Sequence, residues 1–198
     1  MPKYCITIAR EFASGGRLIG QKLADLLDIP FYDKEIISLT ANESGFAEAT
    51  VEEAEHTKTR SLLYNLSITA TELPVADQIF IVQSRVIKEL AQQGSGIFVG
   101  RAADYALRDV HGSINIFVYA PISNRVERAR NEYNIAEKNL EVFIRREDKK
   151  RASYYEYCTQ QKWGAMFNYH LCINSIIGID AAAETIKCFA ESAAKGGQ

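Results

Sequence analysis

The chain lacks several features that would place a protein in a functional class at once. No run of about 18 uncharged apolar residues occurs among its 198 residues, so we expect no transmembrane helix and no membrane partner. The formal net charge is −2, too close to neutrality to suggest nucleic acid as a partner. The four cysteines contain no C-x-x-C pair, and the three histidines have no metal-ligand spacing. We therefore expect neither a structural zinc site nor another resident metal.

Linkers, internal repeats and low-complexity segments are also missing, and proline occurs only four times. A chain of this length without such divisions is expected to form a single domain over residues 1–198. Strand-like sequence follows Met1–Lys3 directly, so we expect no signal peptide, and unpaired cysteines suit a reducing, cytoplasmic location. Cys5 and Cys172 lie in strand-like runs and are predicted to be buried apolar side chains.

The chain does contain short apolar runs that alternate with helical patterns. The runs are Tyr4–Ile8, Ile29–Tyr32, Gly96–Val99, Ile114–Tyr119 and Leu171–Asn174. Strands that alternate with helices predict an α/β fold, in which a parallel sheet is covered by helices on both faces. In such a fold the ligand crevice lies at the carboxyl ends of the strands.

Glycine residues and helix-capping patterns indicate the approximate limits of the helices. A helix is predicted from Asp33 to Glu43, stopped by Gly45, and the capping-box pattern of Thr50–Glu53 is expected to start another. Apolar spacing predicts a core-facing helix that ends at Gly94, and a last helix is expected to begin near Asp180.

The segment from Arg10 to Arg17 resembles a phosphate-binding loop without its lysine. An apolar strand leads into a turn of small residues that opens a helix, a layout that directs backbone N–H groups at an anion. Against the pattern G-x-x-x-x-G-K-[ST], Arg10 stands at the first glycine and Gly15 at the second. Gly16 replaces the lysine, and Arg17 replaces the Ser/Thr that would contact Mg²⁺.

We predict that this loop binds the phosphates of a nucleotide through Arg10, Ser14, Gly15, Gly16 and Arg17. Arg17 is the candidate catalytic cation, because a guanidinium can grip phosphate oxygens with two N–H groups. The alternative is a strand–turn–helix corner that needs glycine only for its backbone angles. The preceding strand and the parallel-sheet pattern favour phosphate binding.

Polar residues at the ends of the second and third strands are candidates for binding an acceptor. Asp33 and Lys34 follow the second strand, and Arg101 and Asp104 follow the third. Asp104 could orient Arg101 or hold a metal through water. The alternatives are that Asp33 caps a helix and that Arg101 is merely solvated. No aspartate ends the third or fourth strand, so no Walker-B-type Mg²⁺ ligand is evident.

Cations are densest in the helical excursion between the last two strands and just before it. Those predicted to form a lid over phosphoryl groups are Arg125, Arg128, Arg145, Arg146, Lys149 and Arg151. Arg145 and Lys149 share a helix face, and we assign them catalytic roles, since phosphoryl transfer needs cations where charge develops. The alternative is a solvated helix whose charges are balanced by neighbouring acidic residues.

Four blocks of this chain resemble the cytidylate kinase-like family, a branch of the P-loop nucleoside monophosphate kinase-like proteins. They match the patterns R-E-[FY]-G-S-G-G-R-x-I-G, F-Y-D-K-E, V-G-R-x-A-D-Y and K-W-G…N-Y-x-L-x-I-N-[ST], in that order. The matching segments are Arg10–Gly20, Phe31–Glu35, Val99–Tyr105 and, for the last block, Lys162–Gly164 with Asn168–Ser175. Ala13 stands where the family usually has glycine, so a left-handed backbone at this position costs more.

This resemblance, which extends from about Tyr4 to Ile186, implies a P-loop fold with parallel strand order 2-3-1-4-5. It also implies a helical acceptor-binding insertion over about residues 45–75 and a basic lid over about residues 135–163. The function it favours is transfer of a phosphoryl group from a nucleoside triphosphate, ATP with Mg²⁺, to a small acceptor such as a nucleoside monophosphate. The alternative is a nucleotide or phosphate sensor, or a scaffold, that has lost the loop lysine.

Overall fold

The computed structural model describes residues 4–54 and 73–196, with the side chains of the last two helical residues left aside. Within these residues the chain forms one parallel sheet in the order β2-β3-β1-β4-β5. The strands are β1 (Cys5–Arg10), β2 (Phe31–Tyr32), β3 (Gly96–Val99), β4 (Ser113–Tyr119) and β5 (Leu171–Asn174). The predicted α/β class and strand order are confirmed.

Helices connect the strands in the described part of the chain. They are α1 (Gly16–Leu27), α2 (Glu35–Ser44), α3 (Glu48–Ala54), α4 (Val75–Gln93), α5 (Ala103–Ala106), α6 (Ile122–Asn131), α7 (Leu140–Thr159) and α8 (Ile179–Gly196). One-turn 3₁₀ helices lie at Met166–Asn168 and Ser175–Ile177. None of the described helices is both long and apolar enough to cross a membrane.

The alternation of side chains along the central strand divides the core into two layers. Ile6 and Ile8 are fully buried on the face that packs against α1 and α8. Cys5, as predicted, is buried on the opposite face, where it packs with Phe98 and with side chains from α2, α4 and α5. Because all strands are parallel, the carboxyl ends of β1 and β3 lie at one edge, with Ile8 opposite Val99. The loops that follow these two strands therefore meet.

Several sequence-based expectations are corrected. Cys172 is exposed, because β5 is an edge strand with one uncovered side. α3 begins at Glu48, so Thr50 lies inside the helix and the capping-box prediction is wrong. The short helix α5 and the helix α6 were not predicted, and α7 begins at Leu140. The expected insertion at about residues 45–75 lies largely outside the described residues.

Candidate active site

The turn between β1 and α1 has the backbone shape expected of an anion-binding loop. Ala13 has a φ of 56° and Gly15 a φ of 85°, both in the left-handed region. Gly15 is the N-cap of α1, and no side-chain hydrogen bond caps this helix end. The first N–H groups of α1 are therefore left to other acceptors, at the end of the helix that favours negative charge.

The carbonyl groups of this loop are held by side chains from distant parts of the chain. Four backbone carbonyl oxygens between Arg10 and Ser14 each accept one such hydrogen bond. The pairs are Arg151 Nη1 to Arg10 O (3.0 Å), Arg125 Nε to Phe12 O (2.8 Å), Arg128 Nη1 to Ala13 O (3.1 Å) and Ser175 Oγ to Ser14 O. These donors satisfy the loop carbonyl groups and tie the loop to α6, α7 and the segment after β5.

Arg125 is the centre of this support. Its guanidinium forms ion pairs with Glu11, at 3.1 Å, and with Asp148. Asp148 also accepts the Phe12 N–H at 2.7 Å, and Glu11 accepts the Ala120 N–H at 3.1 Å. The side chain of Arg125 is only 6% exposed, and two carboxylates compensate its charge. The structure thus places this predicted lid residue beneath the loop.

Arg10 runs from the end of β1 across the start of α1. A Cβ atom built on Gly16 would lie 2.6 Å from the Cβ of Arg10, so no larger residue fits there without movement. At the other end of the side chain, a Cβ on Gly100 would lie 2.9 Å from Cζ of Arg10 and would collide with Nη1. Two glycines from different elements therefore leave room for this one arginine.

A cavity of about 260 Å³ opens at the carboxyl ends of β1 and β3. Its cationic lining comes from Arg10, Arg101 and Arg151, which the sequence analysis had assigned to the loop, the acceptor site and the lid. Burial lowers the pKa of each of these guanidinium groups below its ordinary value. For Arg10 the neighbouring cations lower the pKa further, while Asp33 opposes them. The cavity therefore suits an anion.

The backbone that carries Arg101 is strained. Gly100, Arg101 and Ala102 have φ values of 75°, 61° and 50°, three consecutive residues in the left-handed region. A non-glycine residue in such a conformation costs on the order of 1 kcal/mol or more, and such strain clusters at functional sites. This left-handed backbone turns the chain from β3 into α5. Arg101 and Asp104 both line the cavity as a result.

Asp104 and Tyr155 form a hydrogen-bonded pair in the cavity wall. The Tyr155 hydroxyl donates to Asp104 at 2.7 Å, and the carboxyl group is buried. Burial raises the pKa of Asp104, and the hydrogen bond from Tyr155 opposes this increase. The pKa of Tyr155 is raised as well, first by burial and then by the adjacent carboxyl group.

Aromatic residues complete the wall of the cavity. Tyr154 packs edge-on against Phe80, 6.4 Å between ring centroids, and donates its hydroxyl to Gln83 at 2.6 Å. Trp163 packs edge-on against Phe117, with 5.4 Å between centroids. The C-terminal part of α7 is thereby attached to α4, and the segment that follows α7 packs on the sheet.

The other predicted acceptor residues lie at the rim. Arg17 is 54% exposed; its Nε donates to Asp33 at 2.8 Å, and its guanidinium lies over the Phe31 ring. Asp33 also lies 3.9 Å from Arg10, so it links the two cations. Lys34 is exposed just before α2. Because Asp33 pairs with arginines and Lys34 occupies the N-cap position, the helix-cap alternative for Asp33 is wrong.

The remaining lid candidates lie on the outer face of α7. Arg145 pairs with Glu141 at 2.7 Å, and Arg146 lies 3.5 Å from Glu147. Lys149 is exposed. In this conformation these cations form the solvated surface, with charges balanced by acidic neighbours, that was the alternative to a lid. Two other lid candidates, Arg128 and Arg151, contact the loop instead.

Sequence analysis missed several groups that shape the site: Glu11, Asp148, Tyr155 and Ser175. Their partners lie far away in sequence, so no local pattern identifies them. The described residues contain no cluster of three or more His, Cys, Asp or Glu side chains that could hold a metal ion.

The comparisons with known proteins agree with this fold. Among solved structures, a crystal structure of an uncharacterized protein from Eubacterium ventriosum is 26% identical, with a TM-score of 0.71, and the match covers 96% of this chain and 99% of that one. Shikimate kinase from Acinetobacter baumannii, in complex with shikimate, is 15% identical with a TM-score of 0.54 over 96% and 93% of the two chains. A gluconokinase from Sinorhizobium meliloti is 13% identical with a TM-score of 0.52 over 96% and 95%.

The two kinases are too distant to show more than a shared P-loop kinase fold. A search of curated proteins found no match. The model of the cytidylate kinase-like family matches residues 5–176, which is most of the chain. This protein therefore belongs to the cytidylate kinase-like family.

Proposed function

We propose that this protein transfers a phosphoryl group from a nucleoside triphosphate to a small anionic acceptor. The triphosphate binds to the loop formed by Ser14–Arg17, and the acceptor occupies the adjacent cavity. One observation carries this proposal: Arg10, Arg101 and Arg151 line a single cavity beside the loop.

The charge in the cavity supports an anionic acceptor. Removing a guanidinium group from water is unfavourable unless opposite charge compensates it. The carboxyl groups near the three arginines include Asp33, at 3.9 Å from Arg10, Glu52 and Asp104 in the lining, and Asp148 and Glu147 beside Arg151. Burial raises the pKa of Asp104, which weakens its tendency to carry negative charge. A phosphate or carboxylate group on the acceptor would add negative charge beside the three arginines and accept several N–H donors.

The proposed mechanism relies on positioning and charge stabilisation, which account for most catalysis of phosphoryl transfer. The free N–H groups at the start of α1 hold triphosphate oxygens. Arg17 and Lys34 contribute cations at the rim, and Asp33 orients Arg17 and Arg10. Arg128, on α6, contacts the loop at the Ala13 carbonyl. The outer cations Arg145, Arg146 and Lys149 would approach the phosphates if α7 closes over the site.

Magnesium is proposed to arrive with the triphosphate, for which ATP is the expected donor. Mg²⁺ commonly keeps several waters and binds through substrate phosphates with one or two carboxylates. Arg17 stands where the loop Ser/Thr would contact it, and the described residues offer no ligand cluster. The described part of the chain therefore does not provide a dedicated magnesium site. We propose a cytoplasmic location, where such nucleotides are abundant.

A nucleotide or phosphate sensor is the second candidate function, and one observation favours it. Gly16 replaces the lysine that normally follows the transferred phosphoryl group. Loss of one such cation commonly costs roughly 2–4 kcal/mol of transition-state stabilisation, which makes a slow enzyme as consistent with the sequence as an inactive one.

Calorimetry and a transfer assay separate these functions. ATP, GTP and CTP are titrated with Mg²⁺, and phosphate transfer is then followed over nucleoside monophosphates, shikimate and gluconate as acceptors. We expect nucleotide binding and transfer to at least one acceptor, with both the acceptor affinity and the rate reduced by Arg101→Met. Binding without transfer to any acceptor favours the sensor, and absence of nucleotide binding contradicts both functions.

A further inference from the structure

We infer that Arg10 performs the function of the missing loop lysine, acting from the end of β1 rather than from the start of α1. This inference rests on the proposed phosphotransferase function and assigns a catalytic residue to it.

The space at Gly16 is the first reason. The position that holds lysine in an ordinary phosphate loop is here glycine, and the stem of Arg10 fills the place where a side chain would begin. A Cβ on Gly16 would lie 2.6 Å from Cβ and 3.0 Å from Cγ of Arg10, and 3.3 Å from Cβ of Val118. Arg10 and a lysine at position 16 therefore exclude one another.

The space at Gly100 is the second reason. The guanidinium of Arg10 extends to the end of β3, where a Cβ on Gly100 would collide with Nη1 and lie 2.9 Å from Cζ. Gly100 has a φ of 75°, so this residue also takes a backbone conformation that glycine adopts without cost. The arginine is thus accommodated along its whole length, from the loop to the acceptor cavity.

The location of the charge is the third reason. The stem of Arg10 lies against the first residue of α1, and its guanidinium lines the acceptor cavity with Arg101 and Arg151. Its nearest carboxylate, Asp33, is 3.9 Å away and is shared with Arg17. A cation in this place lies between the loop that would hold the triphosphate and the cavity that would hold the acceptor.

The chemical step requires no proton transfer to Arg10. An oxygen of the acceptor forms a bond to the γ-phosphorus while the bond from that phosphorus to the bridging oxygen breaks, and the electron pair remains on the β-phosphate. An ionised phosphate acceptor has no proton to lose, and a hydroxyl acceptor releases its proton to water. Arg10 stays charged and donates N–H groups to oxygens on which negative charge develops.

Moving the cation back to its ordinary position tests this inference. Four variants are compared: Arg10→Gly, Gly16→Lys, the double variant Arg10→Gly with Gly16→Lys, and Arg108→Gly, an exposed turn arginine, as the matched control. Thermal melting establishes that each is folded. If Arg10→Gly alone does not fold, Arg10→Met, which removes the cation and keeps the stem, is compared with the wild type in its place. ATP affinity is measured by calorimetry with Mg²⁺, and kcat and KM are measured with the acceptor found for the wild type.

We expect Arg10→Gly to lower kcat at least 100-fold, and Gly16→Lys alone to lower it as much, because the two side chains cannot share the space. The double variant should recover at least 10-fold over Arg10→Gly, and Arg108→Gly should match the wild type. If the folded double variant is no better than Arg10→Gly, or if Arg10→Gly retains wild-type kcat, Arg10 does not replace the lysine.

The outcome for this inference is separate from that for the proposed function. A wild type that transfers phosphate but is indifferent to Arg10 overturns only the inference. If the wild type binds ATP but transfers no phosphate, the ATP affinities of the same variants are compared instead. We then expect Arg10→Gly to bind ATP at least 10-fold more weakly and the double variant to recover that affinity. A wild type that does not bind ATP overturns both.

Discussion

Buried arginines occur in two regions of this protein, and they differ in how their charge is compensated. Arg125, beneath the loop, contacts two carboxylates, Glu11 and Asp148, and donates to the Phe12 carbonyl. Arg10 and Arg101, in the cavity, lie near one another, and burial lowers the pKa of both. Burial therefore accompanies a structural role for Arg125 and a proposed binding role for Arg10 and Arg101. The balance of charge, rather than depth, distinguishes the two.

The largest effect is expected where the charge is compensated. Arg125→Met leaves Glu11 and Asp148 without their cation in a partly buried place, and breaking a buried ion pair typically costs 3–5 kcal/mol, so we expect a loss of about 3 kcal/mol or more of unfolding free energy. Urea denaturation measures it, with the exposed Arg130→Met as the control. A loss below about 1 kcal/mol would remove the contrast between the two regions.

The cavity arginines should show the opposite behaviour. Arg101→Met removes a cation that repels Arg10 and Arg151, so the free energy of unfolding should stay within about 1 kcal/mol of the wild type or rise. The affinity for pyrophosphate should fall by about 1.5–3 kcal/mol, the magnitude of a charge-assisted hydrogen bond. Calorimetry and urea denaturation on the same samples give both numbers. A large loss of stability with unchanged affinity would make Arg101 structural.

A smaller effect is expected at Asp104, where burial raises the pKa of the folded state above that of the unfolded state. The folded protein then binds the proton more tightly, so stability is greatest below the unfolded pKa and declines as the pH rises toward the folded pKa. Asp104→Asn cannot titrate and keeps an oxygen that accepts the Tyr155 hydroxyl. The stability of the wild type relative to this variant should decline by about 1.4 kcal/mol for each unit of pKa increase.

Urea denaturation of both proteins from pH 4 to pH 8 measures this decline, with Tyr155→Phe added to remove the hydrogen bond. Parallel curves for the wild type and Asp104→Asn would mean that the Asp104 carboxyl group titrates normally.

The smallest effect on stability is expected on the outer face of α7. Arg145 is 64% exposed and Lys149 is also exposed, so the double variant Arg145→Ala with Lys149→Ala should change the unfolding free energy by less than about 0.5 kcal/mol. If α7 closes as a lid, this variant should nevertheless lower the transfer rate more than ATP affinity. Equal rates in variant and wild type would leave these cations as a solvated surface.

The sequence predicts the sheet well because each strand is a short apolar run bounded by turn residues. The predicted limits of Gly96–Val99 and Leu171–Asn174 agree with the structure. The loop and its glycine turn are also predictable, since the motif is local. The approach of Arg10, Arg101 and Arg151 to one cavity is not, because it depends on how three elements pack. The same holds for the hydrogen bond from the Phe12 N–H to Asp148, because these two residues are 136 positions apart in the sequence.

These long spans have a consequence for the synthesis of the protein. The loop is formed by residues near the N-terminus, yet the donors to its carbonyl groups follow 113, 115, 141 and 161 positions later. On the ribosome, the nascent loop therefore lacks its supports until β5 and the turn after it have emerged. The proposed phosphate loop therefore gains its last support only after Ser175 has emerged, and a chain truncated before Ser175 should lack this donor to the Ser14 carbonyl.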